Sequence, residues 1–175
     1  MNAVLDLMKE RRSIRKFKPD MPAKEEIELV MEAGLYAASG MGKQAPIIVA
    51  VTNKELRDKL SEQNRKIMNG PEGMDPFYGA PAVLIVLADK SVRTCVYDGS
   101  LALGNMMLAA HALGLGSCWI HRAKEEFESE EGKALLKSLG IEGDYEGVGH
   151  CILGYADGED PEAKERRAGR TFWVE

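Results

Sequence analysis

The stretch RRSIRKF, residues 11–17, places three guanidinium groups and a hydroxyl within five positions: Arg11, Arg12, Ser13 and Arg15. Arginine carries a permanent charge on a planar fork of donors, and a hydroxyl beside it adds a neutral donor. The set therefore suits a phosphate dianion. The same residues would also serve as a solvated, charged helix end. A second basic group, Lys164, Arg166, Arg167 and Arg170, lies near the other end of the chain. It would complete the same anion site if the two ends meet, and would form a solvated rim if they do not. Between them, the loop SGMGKQAP carries Ser39, Gly40, Met41 and Gln44. Its glycines let backbone amides approach a flat ligand, and Gln44 offers donor and acceptor to a heterocycle edge. An ordinary helix-to-strand turn is the other reading.

Histidine and cysteine contribute less. His111, His121 and His150 lack HxxxH or HExxH spacing, so no metal site is expected and core or rim positions fit them. Cys118 with His121 and Cys151 with His150 are examples of a nucleophile pair, and neither has an accompanying signature. The three cysteines, Cys95, Cys118 and Cys151, are odd in number and far apart. That usage fits a reducing, cytoplasmic compartment and argues against a disulfide framework.

The elements that must hold these residues follow from patterning. Residues 3–10 read as a short helix with Val4, Leu5 and Met8 on one face. A second helix follows, with Pro22 in its first turn, Glu25 and Glu26 at its positive end, and Ile27, Val30, Met31, Gly34 and Leu35 inward. IIVAV, AVLIVLA, GSCWIH and GVGHCILGYA read as strands. TNKELRDKLSEQNRKI reads as a helix with a Thr52–Glu55 capping box, residues 97–113 as a long buried helix, and SEEGKALLKSL as a helix capped by Ser129. NGPEGMDPFYGAP is turn-rich and long enough to cover something. Phe172, Trp173 and Val174 suggest that the tail packs onto a surface, another subunit included. Strands interleaved with helices predict one α+β domain over residues 1–175, in two or three layers.

Composition narrows the function. The chain has 175 residues, 45% hydrophobic and 29% charged, with a formal charge of −5. That balance disfavours a general nucleic-acid binder. The longest apolar run, LALGNMMLAAHALGLG, is too short for a bilayer and contains Asn105 and His111, so no membrane span or secretory leader is expected. A Rossmann fingerprint and a Walker A loop are absent: GLGSCW follows a helix, not a strand. A nucleotide would have to be held by side chains.

In order along almost the whole chain, RRSIRKF, AASGMGKQAPIIVAVTN, APAVLIVLAD, GSLALGNMMLAAHALGLGSCWI and ILGYADGEDPEAKERRAGRTFWV resemble the nitroreductase family of flavin oxidoreductases. The resemblance implies a nitroreductase-like α+β three-layer sandwich with a mixed, mainly antiparallel central sheet flanked by helices. It also implies a homodimer with swapped terminal segments and FMN at the subunit interface. By position, Arg11, Arg12, Ser13 and Arg15 match the N-terminal flavin contacts, and Lys164 and Arg166 match a basic pair facing the phosphate. Ser39, Gly40, Met41 and Gln44 match a loop reaching the flavin from the other subunit. Trp119, Ile120 and His121 match the segment running past the isoalloxazine, and Asn64 matches a ring contact. Gly42 stands where the family loop often has asparagine, and Ala45–Pro46 where it has proline–tryptophan, which opens part of the pocket wall. The implied activity is hydride transfer from NADH or NADPH through FMN to a small-molecule electron acceptor of nitroaromatic or quinone type, by a ping-pong mechanism with no catalytic side chain. Flavin storage or sensing, a flavin enzyme of another reaction class, and a non-flavin interaction domain are the alternatives.

Overall fold

The computed structural model describes residues 2–175. Its centre is strand β2 (Ala82–Asp89), whose side chains are buried on both faces. Because side chains alternate along a strand, Ala82, Leu84, Val86 and Ala88 join one apolar core while Val83, Ile85 and Leu87 join the other. β1 (Pro46–Val51) and β4 (Tyr145–Gly154) flank β2, and β3 (Gly116–Ile120) closes the sheet on the far side of β4, giving the order β1-β2-β4-β3. All three pairings are antiparallel. Among the described residues, the parallel component of the expected mixed sheet is limited to one isolated bridge, Ser13 with Ser117.

Helices cover both faces. α2 (Lys24–Leu35) and α4 (Cys95–Ala112) pack on one core through Ile27, Val30, Leu103 and Met106. On the other core lie α3 (Lys54–Ile67), α5 (Ala123–Glu128) and α6 (Glu130–Ser138), with Leu60, Phe127 and Leu136 inward. This is the expected three-layer α+β arrangement. α1 (Ala3–Glu10) buries no residue, and Val4, Leu5 and Met8 all remain more than half exposed. Among the described residues, no helix is long and apolar enough to cross a membrane.

Three local readings are corrected. The cap of α3 is Asn53, whose Oδ1 accepts from the Leu56 N–H at 2.9 Å, and not Thr52. α2 begins at Lys24, so Pro22 precedes its first turn, and Glu26 accepts from the Ala23 N–H at 2.8 Å. α5 was not expected from its sequence, AKEEFE. Ser129 does cap α6, accepting from the Gly132 N–H at 3.1 Å.

Candidate active site

The basic stretch is extended because α1 stops where Arg11 leaves helical geometry (φ −51°, ψ 133°). The following residues run along the outer edge of β3. Ile14 N–H donates to Ser117 O at 3.0 Å, and Ile14 is buried against Gly116, where a Cβ would stand 3.0 Å from three Ile14 atoms. Lys18 N–H then bonds Tyr155 O, Asp157 N–H bonds Lys16 O, and a Lys16–Asp157 ion pair of 2.7 Å closes the junction with the end of β4. The chain thus lays its arginines beside the sheet edge that ends in Trp119 and Ile120.

The four residues of this stretch are used differently. Arg11 has a guanidinium nitrogen, Nη1, that is buried and has no hydrogen-bond partner among the described residues. Arg12 turns back and donates to Lys9 O and Arg11 O at 2.6 and 2.8 Å, so it closes the carbonyl end of α1. Ser13 forms the bridge to Ser117. Arg15 is exposed, with its Cζ 6.0 Å from the centre of the Tyr78 ring, a cation–π separation.

Arg15 and Tyr78 belong to a cleft of about 210 Å³ that also takes in Met68, Met74, Pro76 and the segment Cys118, Trp119, Ile120, His121 and Arg122. Its apolar wall comes from the turn-rich stretch between α3 and β2. Asp75 fixes that stretch: its carboxylate accepts from Arg57 Nη2 and Ser61 Oγ, each at 2.5 Å, and from the N–H groups of Phe77 and Gly79 at 2.9 and 2.6 Å. Arg57 also donates to Ala80 O at 3.0 Å, and Phe77 is fully buried. Burial alone would raise the Asp75 pKa. Donation from Arg57, Ser61 and the Gly79 N–H outweighs it and holds the carboxyl below its usual range.

Opposite this wall, Asn64 organises the turn after β3. It is fully buried; its Nδ2 donates to His121 O at 2.9 Å and its Oδ1 accepts from Arg122 Nε at 2.8 Å. Asn64 therefore positions two cleft residues. Arg122 sits in the left-handed region (φ 78°, ψ 9°) at the start of α5. Trp119 is half-buried over Gly149, where a Cβ would come within 2.5 Å of the indole Nε1. Patterning did not single out Met68, Met74, Tyr78 or Arg122. Tyr78 and Met74 lie within the stretch read as a cover, and Arg122 directly follows the WIH segment.

The remaining expected residues lie apart from this cleft within one chain. Ser39 Oγ accepts from the Gln44 N–H at 3.1 Å, and Gly40 N–H donates to buried Asp98 at 3.1 Å. Met41 and Gln44 hold positive φ (53° and 51°) and are exposed. This loop borders a different depression, lined by Gly34, Leu35, Ser39, Gln44 and Asp98 among others. Lys164 and Arg166 are exposed on a tail with no helix or strand, and neither forms an ion pair among the described residues. Phe172, Trp173 and Val174 are 86%, 88% and 99% exposed.

The cysteines do not provide a nucleophile. Cys151 is fully buried, and burial pushes its thiol up to about 12 despite the nearby charge of Arg11. His150, its neighbour on β4, is also fully buried; its Nε2 lies 2.8 Å from Glu126 Oε2 without hydrogen-bond alignment. Cys118 is 2% exposed and His121 lies on the surface. Among the described residues, their one side-chain bond is a weak one from Cys118 Sγ to Trp119 O.

Comparison with known proteins agrees with this geometry. The sequence model of the nitroreductase family matches residues 8–155. A protein of Methanothermobacter thermautotrophicus, provisionally named an NADH dehydrogenase/NAD(P)H nitroreductase, is 33% identical over 120 residues, covering 66% of this chain and 59% of its own length. A protein of Archaeoglobus fulgidus with the same provisional name is 32% identical over 146 residues, 81% of this chain and 78% of its own. The crystal structure of a Bacteroides fragilis nitroreductase with bound FMN superposes with a TM-score of 0.91 at 30% identity, over 100% of both chains. An edge-strand cleft flanked by arginines, a match across most of the sequence and a fold shared end to end lead to one assignment: the chain belongs to the nitroreductase family.

Proposed function

We propose that this protein is an FMN-dependent oxidoreductase that takes hydride from NADH or NADPH and delivers electrons to a small oxidised acceptor of the nitroaromatic or quinone type. The observation that carries the reading is Arg11. A permanently charged group with a buried, unpartnered donor is costly unless an anion completes it, and a flavin phosphate is such an anion. The FMN bound to the Bacteroides fragilis relative supports the same choice.

When bound, FMN supplies the redox chemistry, accepting hydride at N5 and returning electrons to the acceptor. The chain's own residues bind and orient. Arg11 and Ser13 would hold the phosphate and ribityl chain. Arg15, within cation–π distance of Tyr78, would place positive charge at the pyrimidine edge, where negative charge develops on reduction. The edge of β3 beyond Ser117 leaves backbone amides of the Trp119–His121 segment available to the ring. The second subunit would bring Ser39, Gly40, Met41 and Gln44, and the tail would bring Lys164 and Arg166. Exposed Val4, Leu5, Met8, Tyr97 and Leu101, together with the apolar tail end, give such a homodimer its apolar surface. One cleft used in turn by donor and acceptor predicts ping-pong kinetics.

The test is the visible spectrum after FMN is added and the protein desalted. Flavin bands retained at about one FMN per chain, with parallel double-reciprocal plots in turnover, are the expected result. A folded, dimeric protein that stays colourless would overturn the proposal. Retained flavin without acceptor turnover would reassign the protein to flavin storage or sensing.

A further inference from the structure

We propose that Arg122 is the anion-recognising residue of the cleft, so that the molecule entering beside the flavin carries a carboxylate or phosphate gripped by its terminal nitrogens. The inference rests on the flavin reading above only in placing the cofactor at this cleft. The cleft is lined by Arg15, Arg122 and His121, with no aspartate or glutamate, in a chain whose formal charge is −5. Arg15 is exposed, 6.0 Å from the centre of the Tyr78 ring, and is the arginine that the proposed function places at the flavin edge, whereas Arg122 is fixed through its Nε.

Arg122 is held firmly and yet left open. Its backbone occupies the left-handed region, its Nε is fixed by fully buried Asn64, and the same amide holds the preceding carbonyl. A guanidinium tied through Nε leaves two parallel N–H groups at its end, the pattern that matches both oxygens of a carboxylate or phosphate. Among the described residues, no carboxylate lies within 4 Å of it and its terminal nitrogens meet no protein acceptor. The arginines of α3 behave otherwise: Arg57 pairs with Asp58 and Asp75, and Arg65 with Glu62. Because Arg122 is already ordered, an arriving anion meets little further loss of side-chain freedom. Met68, Met74, Pro76 and Tyr78 supply an apolar wall in the same cleft. Together they select an apolar or aromatic body bearing an anionic group. An aromatic carboxylate acceptor and the phosphates of the nicotinamide co-substrate share that chemistry.

The experiment compares the holoprotein with Arg122→Gln and Arg122→Lys, using 4-nitrobenzoate and its uncharged methyl ester as the acceptor pair. Calorimetric titration reads binding without turnover, and stopped-flow reduction by NADH and NADPH reads the other source of anion. Arg122→Gln is expected to weaken 4-nitrobenzoate binding by about tenfold or more while changing the ester by less than about twofold, with Arg122→Lys recovering part of the loss. Slower reduction by the nicotinamides with the acceptor pair unmoved would keep the anion site and assign it to the nucleotide phosphate. Equal changes for acid and ester, or no change in any arm, would overturn it. Failure of the cofactor reading appears separately, as missing flavin bands in the unsubstituted protein, and titration with 4-nitrobenzoate still reports on Arg122.

Discussion

Replacing Arg11 with Met should move two measurements in opposite directions. Methionine spans a similar length without a donor or a charge. In the flavin-free protein, Arg11 Nη1 is buried and unpartnered, a condition that costs about 1–3 kcal/mol. Removing it should stabilise that form by about 1 kcal/mol or more, which for a chain of 175 residues raises Tm by about 2–4 °C per kcal/mol. The FMN complex loses a charge-assisted bond of about 1.5–3 kcal/mol, so Kd should rise by roughly ten- to 150-fold. Thermal denaturation of the flavin-free proteins at matched concentration, with titration of FMN fluorescence quenching, gives both numbers. A single cause predicts the opposed signs. A lower flavin-free Tm together with unchanged FMN affinity would show that Arg11 is a structural cation, and the phosphate assignment would fall.

Two further predictions concern the walls of the cleft. Asp75 has a lowered pKa, so its stabilisation is complete above the ordinary carboxylate value of about 3.9 and is lost as pH falls through the folded value. Limited proteolysis of the 68–81 stretch should therefore stay slow at neutral pH and accelerate only below about pH 3.9, whereas Asp75→Asn should be cut faster at neutral pH and lose that acid limb; an acid limb kept in the variant would refute the anchor. Gly149→Ala should push Trp119 out of its seat, lowering Tm by an amount equivalent to about 1–3 kcal/mol and shifting tryptophan emission in a Trp173→Phe background. Unchanged emission would mean that the indole is not seated there.

The sheet was readable because its signal is intense. AVLIVLA is apolar at every position, and the structure buries both of its faces between two helical layers. α5 was not readable, since six residues rich in Lys and Glu carry no helical stripe, and that helix owes its existence to Ala123 and Phe127 packing on the second core. The cap of α3 was misplaced by one residue because Thr52 and Asn53 have equal chemical claim, and only the path of the chain decides between them. At the site, the charge of RRSIRKF was legible but its division of labour was not: Arg12 serves the end of its own helix while Arg11 keeps a free donor. Asn64 stood out only through the resemblance, as a ring contact, and Arg122 was not singled out at all. Their partnership joins residues 58 positions apart, through a left-handed turn that local pattern does not announce.

The anchoring of the 68–81 stretch has a consequence for how this scaffold can change. Asp75, Arg57 and Ser61 fasten the stretch from behind, while the side chains of Met68 and Met74 line the cleft without taking part in that fastening. Residues that decide the shape of the opening are thus separable from residues that keep it in place. A lineage, or a library, can vary the former while the frame and the arginines of the β3 edge stay constant. On the proposed function, acceptor preference should therefore be altered first at Met68 and Met74, which line the cleft away from both the Asp75 frame and the Arg15–Tyr78 contact.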